Sequence, residues 1–264
     1  MNRIDAAFAR LRRQNGKALI AYLTVGFPSV GALPQIVHTL VEEGVDLIEL
    51  GVPFSDPLAD GPTIQAASQW ALKQGVTVKR VFESVETLRR RHKDLPLVLM
   101  RYYNPVSRFG VKQFCRTAAR VQADGLIVPD LPPEEAKELL GSARPAGLDT
   151  IFLAAPTSPA SRLKQIARCS SGFIYYVSLT GVTGARAALP EQIQSHVRSI
   201  KRMTSLPVCV GFGISRPDQV RRVVQAADGV IIGSALLNVI KRSGRNSWRG
   251  VAGFVRQLRE ACHA

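Results

Sequence analysis

Short apolar runs alternate with longer amphipathic segments along almost the whole chain, and this rhythm constrains the fold more than any other feature. Eight runs read as strands: Ala18 to Val25, Asp46 to Leu50, Leu95 to Tyr102, Gly125 to Val128, Asp149 to Ala154, Phe173 to Val177, Pro207 to Val210 and Gly229 to Ile232. The segments between them carry helical periodicity. After the first run, a helix from near Ser29 repeats Ile36, Val37, Leu40 and Val41 at the spacing of one helix face. Gly61 to Gln74 and Val78 to His92 lie between runs two and three, and Val111 to Gln122 follows run three. Pro132-Pro133-Glu134-Glu135 opens the next helix, with proline and acids in the first turn. Ser158-Pro159 starts one that runs to about Arg168, and another spans Pro190 to Met203. Ser215 to Asp218 caps one ending near Ala226, a short one starts at Ser234, and the last covers Ser247 to Cys262.

Strands that are apolar on both faces are what a fully buried parallel sheet requires. Eight of them joined by helical crossovers close into a (β/α)8 TIM barrel. An open doubly wound sheet is the competing arrangement, but it usually places a glycine fingerprint after its first strand. Thr24-Val25-Gly26-Phe27-Pro28 lacks one. Ile4, Phe8 and Leu11 share one face of a helix that would plug the bottom of the barrel. No linker or low-complexity stretch divides the chain, so a single barrel domain over residues 1–264 is expected, with an N-terminal helix and extra short helices.

The chain has neither a signal-like N-terminus nor an apolar run long enough to span a bilayer, which points to a cytoplasmic location without membrane contact. Cys115, Cys169, Cys209 and Cys262 are scattered and form no C-x-x-C pair, so they read as packed thiols, and no clustered ligands suggest a metal. The formal net charge is +15, with basic clusters at Arg10/Arg12/Arg13, Arg89 to Lys93, Arg221-Arg222 and Lys241-Arg242. Each lies on or beside a helical segment, without interleaved aromatic residues or a recognition motif. Solvated helix faces explain them, and no specific nucleic-acid partner is expected. A positive field would still draw in a phosphorylated substrate.

In such a barrel the chemistry sits at the carboxyl ends of the strands. Glu49 stands there, inside Leu47-Ile48-Glu49-Leu50, where a carboxylate is costly unless it is paired or functional. Asp60 lies across the same strand-to-helix loop, as a second acid or as a helix-cap aspartate. Together they could perform acid/base chemistry on a small molecule in one cavity. Three neighbouring loops carry glycine: Ser178 to Ala185, Gly211-Phe212-Gly213-Ile214-Ser215, and Gly233-Ser234 at a helix start. Backbone N–H groups there could hold a phosphate. Tyr22, Met100, Tyr102, Ile127, Leu153, Tyr175 and Phe212 could line a slot for a flat ring, although any barrel core contains such residues. The four histidines fall in helical or terminal segments, away from the strand ends.

Several stretches resemble the tryptophan synthase alpha chain family: Ala21 to Pro28, Glu49 to Gln65, Tyr102-Tyr103-Asn104-Pro105, Pro129 to Pro132, Ala155 to Ser158, Ser178 to Ala185 and Gly211 to Ser215. The resemblance covers essentially the whole chain and is most specific from Glu49 to Gln65. It implies a carbon–carbon lyase of tryptophan biosynthesis, cleaving indole-3-glycerol phosphate to indole and glyceraldehyde 3-phosphate by a retro-aldol reaction. Glu49 matches the general acid/base, and Asp60 matches the carboxylate that accepts the indole N–H. Thr183 would close over Asp60. Gly184, Gly213, Gly233 and Ser234 would contact the phosphate, and Ile64, Tyr175 and Phe212 would flank the substrate. The chain would need no cofactor. Pyridoxal phosphate would belong to a beta chain, bound in an alpha2-beta2 heterotetramer through the Asp56-Pro57 loop, Asn104-Pro105 and Pro129 to Pro132. Another phosphosugar enzyme, such as an isomerase, would share the glycine loops but would not need Asp60 opposite Glu49. Two features depart from the family: the net charge, and Arg101 in strand three, which needs a partner among the helices if it faces outward and would alter the pocket if it faces inward.

Overall fold

The computed structural model describes residues 2–178, 190–211, 213–243 and 248–263. Its strands are β1 (Ala18–Thr24), β2 (Leu47–Gly51), β3 (Leu97–Met100), β4 (Gly125–Ile127), β5 (Asp149–Ile151), β6 (Leu153–Ala154), β7 (Ile174–Val177), β8 (Val208–Gly211) and β9 (Gly229–Ile232). They form one parallel sheet in the order β5-β4-β3-β2-β1-β9-β8-β7-β6. Phe152 alone separates β5 from β6. β5 pairs with β4 and β6 with β7, so the ring passes through one kinked stave and the nine segments make an eight-stave barrel. The single strand expected over Asp149 to Ala154 is therefore split. At the kink, the Phe152 carbonyl accepts from Tyr175 N at 3.1 Å, while its own N–H donates to the Ser170 hydroxyl at 3.4 Å.

Every residue of β1, β2, β3, β8 and β9 is buried, as strands covered on both faces must be. The helix Arg3–Arg13 closes the lower end through Ile4, Phe8 and Leu11, with Phe8 and Phe173 rings 5.9 Å apart. Asn2 caps it by accepting from Ile4 N and Asp5 N. Helices Pro62–Lys73 and Ser234–Ser243 are additions to the one-helix-per-strand pattern. So is Tyr103–Phe109, which the sequence reading missed because its periodicity is too short; Gly110, at φ +88°, separates it from Val111–Arg120. Pro132-Pro133 opens only a 3-10 turn at Pro133–Glu135, and the α-helix begins at Lys137. The cap before Pro217 comes from Gln219, whose side-chain oxygen accepts from Ser215 N and Arg216 N, rather than from Ser215. Among the described residues no helix is long and apolar enough to cross a membrane.

The amino ends of the strands are held by aspartates. Asp46 accepts from Leu19 N at 3.0 Å, Asp124 from Leu97 N at 2.8 Å, and Asp228 from Val208 N at 2.9 Å, each tying its own strand start to a neighbour. Cations lock these carboxylates in place: Arg10 and Arg259 on Asp46, Arg3 and Arg89 on Asp124, and Lys201 on Asp228. The Arg89–Asp124 pair, at 2.7 Å, is buried on both sides. Asp124→Ala should therefore cost about 3–5 kcal/mol, because it leaves the Arg89 guanidinium buried without its counter-charge. Urea denaturation checks this, and Asp218→Ala, which loses only exposed pairs, should cost less than about 1 kcal/mol.

Candidate active site

In a parallel pair, residues in register share a face. The register sets Tyr22, Glu49 and Val98 side by side on β1, β2 and β3. Tyr22 borders a cavity of about 290 Å³ at the carboxyl ends of the strands, so Glu49 faces the same interior. Glu49 is fully buried, and neither carboxylate oxygen has a hydrogen-bond partner among the described residues. Burial pushes its carboxyl up to about 8, so near neutrality it carries a proton.

Asp60 reaches the same cavity from the far end of the loop after β2. Burial raises its carboxyl too, to about 6, but the Tyr102 hydroxyl hydrogen-bonds to it and opposes the rise. That hydroxyl also accepts from Ala59 N at 2.9 Å, which fixes the phenol against the loop. The two acids thus occupy different protonation states at pH 7, Glu49 neutral and Asp60 ionised, and the cause is one hydrogen bond and a difference in burial.

Two tyrosines shape the walls, and each needs a glycine. A Cβ on Gly51 would meet the Tyr22 hydroxyl at 2.1 Å, and one on Gly211 would meet the Tyr175 hydroxyl at 2.4 Å. Gly211 therefore makes room for a ring. Ile64 and Met100 complete the apolar side. The same cavity is also bordered by Gly213, with φ +78°, and by Gly233 and Ser234 at the start of helix Ser234–Ser243. A helix start directed at a cavity offers free N–H groups and a positive dipole end to an anion.

Of the other expected site residues, Tyr102 borders a second, small cavity beside Asp60, and Ile127 is fully buried at the end of β4 without bordering the main cavity. Leu153 is half-buried in β6. Thr183, Gly184 and Phe212 lie outside the described residues. Ile214, Ser215, Ile231, Ala235 and Asn238 border the cavity without having been singled out as ligand contacts. Asn238 follows Ser234 by four residues, one helical turn, and that spacing was the available signal. Arg101 is buried, lines that second cavity with Asp60 and has no partner among the described residues, which agrees with the inward of its two open orientations. Burial pulls its guanidinium down to about 10. No group of three or more side chains arranged to hold a metal occurs among the described residues.

Holding a proton on Glu49 at pH 7 against its ordinary carboxylate value costs on the order of 3 kcal/mol of folding stability. The folded-state value lies above the unfolded one, so the native state holds an extra proton between about pH 4.5 and 8 and stability falls as pH rises through that window. Glu49→Gln removes this penalty. Its melting temperature should exceed the wild type's at pH 7–8, and the gain should shrink toward pH 4.5, as measured by differential scanning calorimetry across pH.

Residues 8–263 match the family model described as "Tryptophan synthase alpha chain". Among curated relatives bearing that name, one from Geobacter sulfurreducens is 46% identical over 262 residues, covering 99% of both chains. Another, from Dehalococcoides mccartyi, is 48% identical over 261 residues, again covering 99% of both. A solved structure described as tryptophan synthase subunit alpha from Legionella pneumophila superposes with a TM-score of 0.93 at 35% identity, covering 100% of this chain and 99% of that one.

Proposed function

The chain belongs to the tryptophan synthase alpha chain family, and from that premise we propose how its residues divide the reaction. The reaction is the lyase step of tryptophan biosynthesis, cleavage of indole-3-glycerol phosphate to indole and glyceraldehyde 3-phosphate. Glu49, protonated at neutral pH, gives its proton to the indole ring carbon that bears the glycerol phosphate. The ring becomes a cation delocalised onto its nitrogen, and ionised Asp60 accepts the N–H and stabilises that charge. The Glu49 carboxylate then takes the side-chain hydroxyl proton. The oxygen electrons form the aldehyde, the carbon–carbon bond breaks, and its electron pair restores the neutral ring. One proton leaves Glu49 and one returns, so the step needs no further reactant and no cofactor in this chain.

The observation that carries this assignment is the unpartnered, fully buried Glu49 sharing an interior with the Tyr102-bonded Asp60. Tyr22, Ile64, Met100 and Tyr175 are suited to clasp the indole rings. Gly213, Gly233 and Ser234, which border the same cavity, are suited to hold the phosphate. Ile127 lies beside Met100, its register neighbour on β3. The resemblance of their stretches to the family supports adding Thr183, Gly184 and Phe212 to this site. A beta chain is the partner, and two copies of each form the assembly. The face it covers includes exposed Asp56, the Leu58 side chain at 91% exposure and helix Tyr103–Phe109. Pyridoxal phosphate resides in that partner. One barrel unit working in the cytoplasm accounts for the chain.

The pH profile follows from the two carboxyls. Indole release should fall below about pH 6 as Asp60 takes up a proton, and above about pH 8 as Glu49 loses its own. Glu49→Gln and Asp60→Asn should each cut kcat by about 10²-fold or more while circular dichroism stays unchanged. Near-normal indole production in either variant would overturn the assignment. Ser234→Asp, which sets a negative charge at the helix start, should raise KM at least about tenfold with a smaller effect on kcat.

A further inference from the structure

The excess positive charge has a location. In this barrel the helices that lead directly into strands end at the amino ends of those strands, opposite the catalytic cavity. Their last turns carry Arg89, Arg90 and Arg91 before β3, Arg120 before β4, and Lys201 before β8. Arg12 and Arg13 end the helix that plugs this same face. The aspartates that could neutralise the face are committed elsewhere: Asp46, Asp124 and Asp228 are drawn into the strand starts and ion-paired there. Arg12, Arg13, Arg90, Arg91 and Lys93 are exposed and form no ion pair among the described residues, against exposed Asp5, Glu42, Asp94 and Glu260, of which Glu42 lies near His92. These cations lie on one connected surface. Arg3, at the start of the plug helix, donates to the Lys93 carbonyl at 2.7 Å, and Arg12, at its end, borders a cavity of about 290 Å³ with Lys201, Thr204 and Ser205. The plug helix of 11 residues spans about 16 Å between these two points.

We propose that this amino-terminal face docks the phosphate backbone of double-helical nucleic acid, without reading its sequence. The chemistry favours phosphate over an acidic protein. The free cations are mostly arginines, whose planar fork suits phosphate oxygens. Protein interfaces are anchored by buried apolar and aromatic groups. The large exposed apolar side chains, Leu58, Trp70, Leu72 and Phe109, lie in the strand-to-helix excursions after β2 and β3, at the other end of the barrel. The proposed face offers charge alone, and charge alone is sufficient for backbone binding. The catalytic cavity opens on the opposite end, so the bound protein keeps its indole-releasing activity.

Fluorescence anisotropy with a labelled duplex of about 20 base pairs tests this. The wild type should bind with Kd of about 1–100 µM near physiological salt, and log Kd should vary linearly with log salt at a slope of about 4–5, the value for some five phosphates. The quadruple variant Arg12→Glu/Arg13→Glu/Arg90→Glu/Arg91→Glu should lose at least about tenfold more affinity than a control that reverses Lys112 and Arg116 on an outer helix flank. Duplex should also protect Lys93 and Lys201 from acetylation in the unmutated protein, a readout that does not depend on how the variant folds. Indole release should be unchanged throughout. Undetectable binding, equal sensitivity per reversed charge in the control, or no protection of Lys93 and Lys201 would overturn the proposal. So would polyglutamate that binds more tightly than duplex at matched charge, which would assign the face to an acidic protein.

Discussion

A carboxylic acid with no hydrogen-bond partner among the described residues sits inside the ring of strands, and much of the upper half of the barrel is organised around it. Glu49 occupies a position where every neighbouring strand residue is buried. A charge there would be expensive, so the environment itself keeps the group neutral. Tyr22, its register neighbour on β1, and Tyr175 on β7 enclose the same space, and both phenols are themselves pushed upward by burial and by the nearby carboxylates. The glycines at the ends of β2 and β8 follow from those rings, because any side chain there would strike a tyrosine hydroxyl. One buried proton thus explains the identity of residues on four of the eight staves.

The two ends of the barrel solve opposite problems with the same residue type. At the lower end, aspartates are satisfied completely: Asp124 takes Leu97 N–H and two guanidinium groups and holds strand starts together. At the upper end, Glu49 is left unsatisfied and Asp60 receives a single phenol. Satisfied carboxylates contribute stability and do no chemistry. Unsatisfied ones cost stability and are ready for a substrate to complete them. The alternation of strand and helix makes this division possible, since it sends all strand-to-helix loops to one end and all helix-to-strand turns to the other.

The fold could be read from the sequence because its signal is periodic and repeated eight times. The details that escaped are local exceptions. Phe152 interrupts a strand that reads as continuous, since a single residue changing its pairing partner leaves no trace in hydropathy. Helix Tyr103–Phe109 is two turns long, too short for a face to repeat. At the site, Glu49 stood out as a charge in an apolar run, and Asp60 as a second acid on the same loop. The reason for Gly211 was not legible, because a glycine near a phosphate loop looks the same in sequence whether it admits an anion or a ring. Asn238 went unmarked because an amide on a helix surface is ordinary until the helix is known to begin at the cavity.

Asp60 and Glu49 differ both in burial and in company, and the difference sorts their tasks. Both carboxyls are raised by loss of water. For Asp60 the Tyr102 hydroxyl recovers part of that loss by donating to the ionised form. The same oxygen accepts from Ala59 N, so the donor is aimed by the loop that carries the acid. The loop therefore positions Asp60 and tunes it in a single contact. If that contact loosened, Asp60 would drift toward Glu49's behaviour, and the site would hold two neutral acids with nothing left to stabilise a cation. The phenol at residue 102 thus preserves the separation between donor and stabiliser, although it borders a cavity next to the main one and not the main one itself.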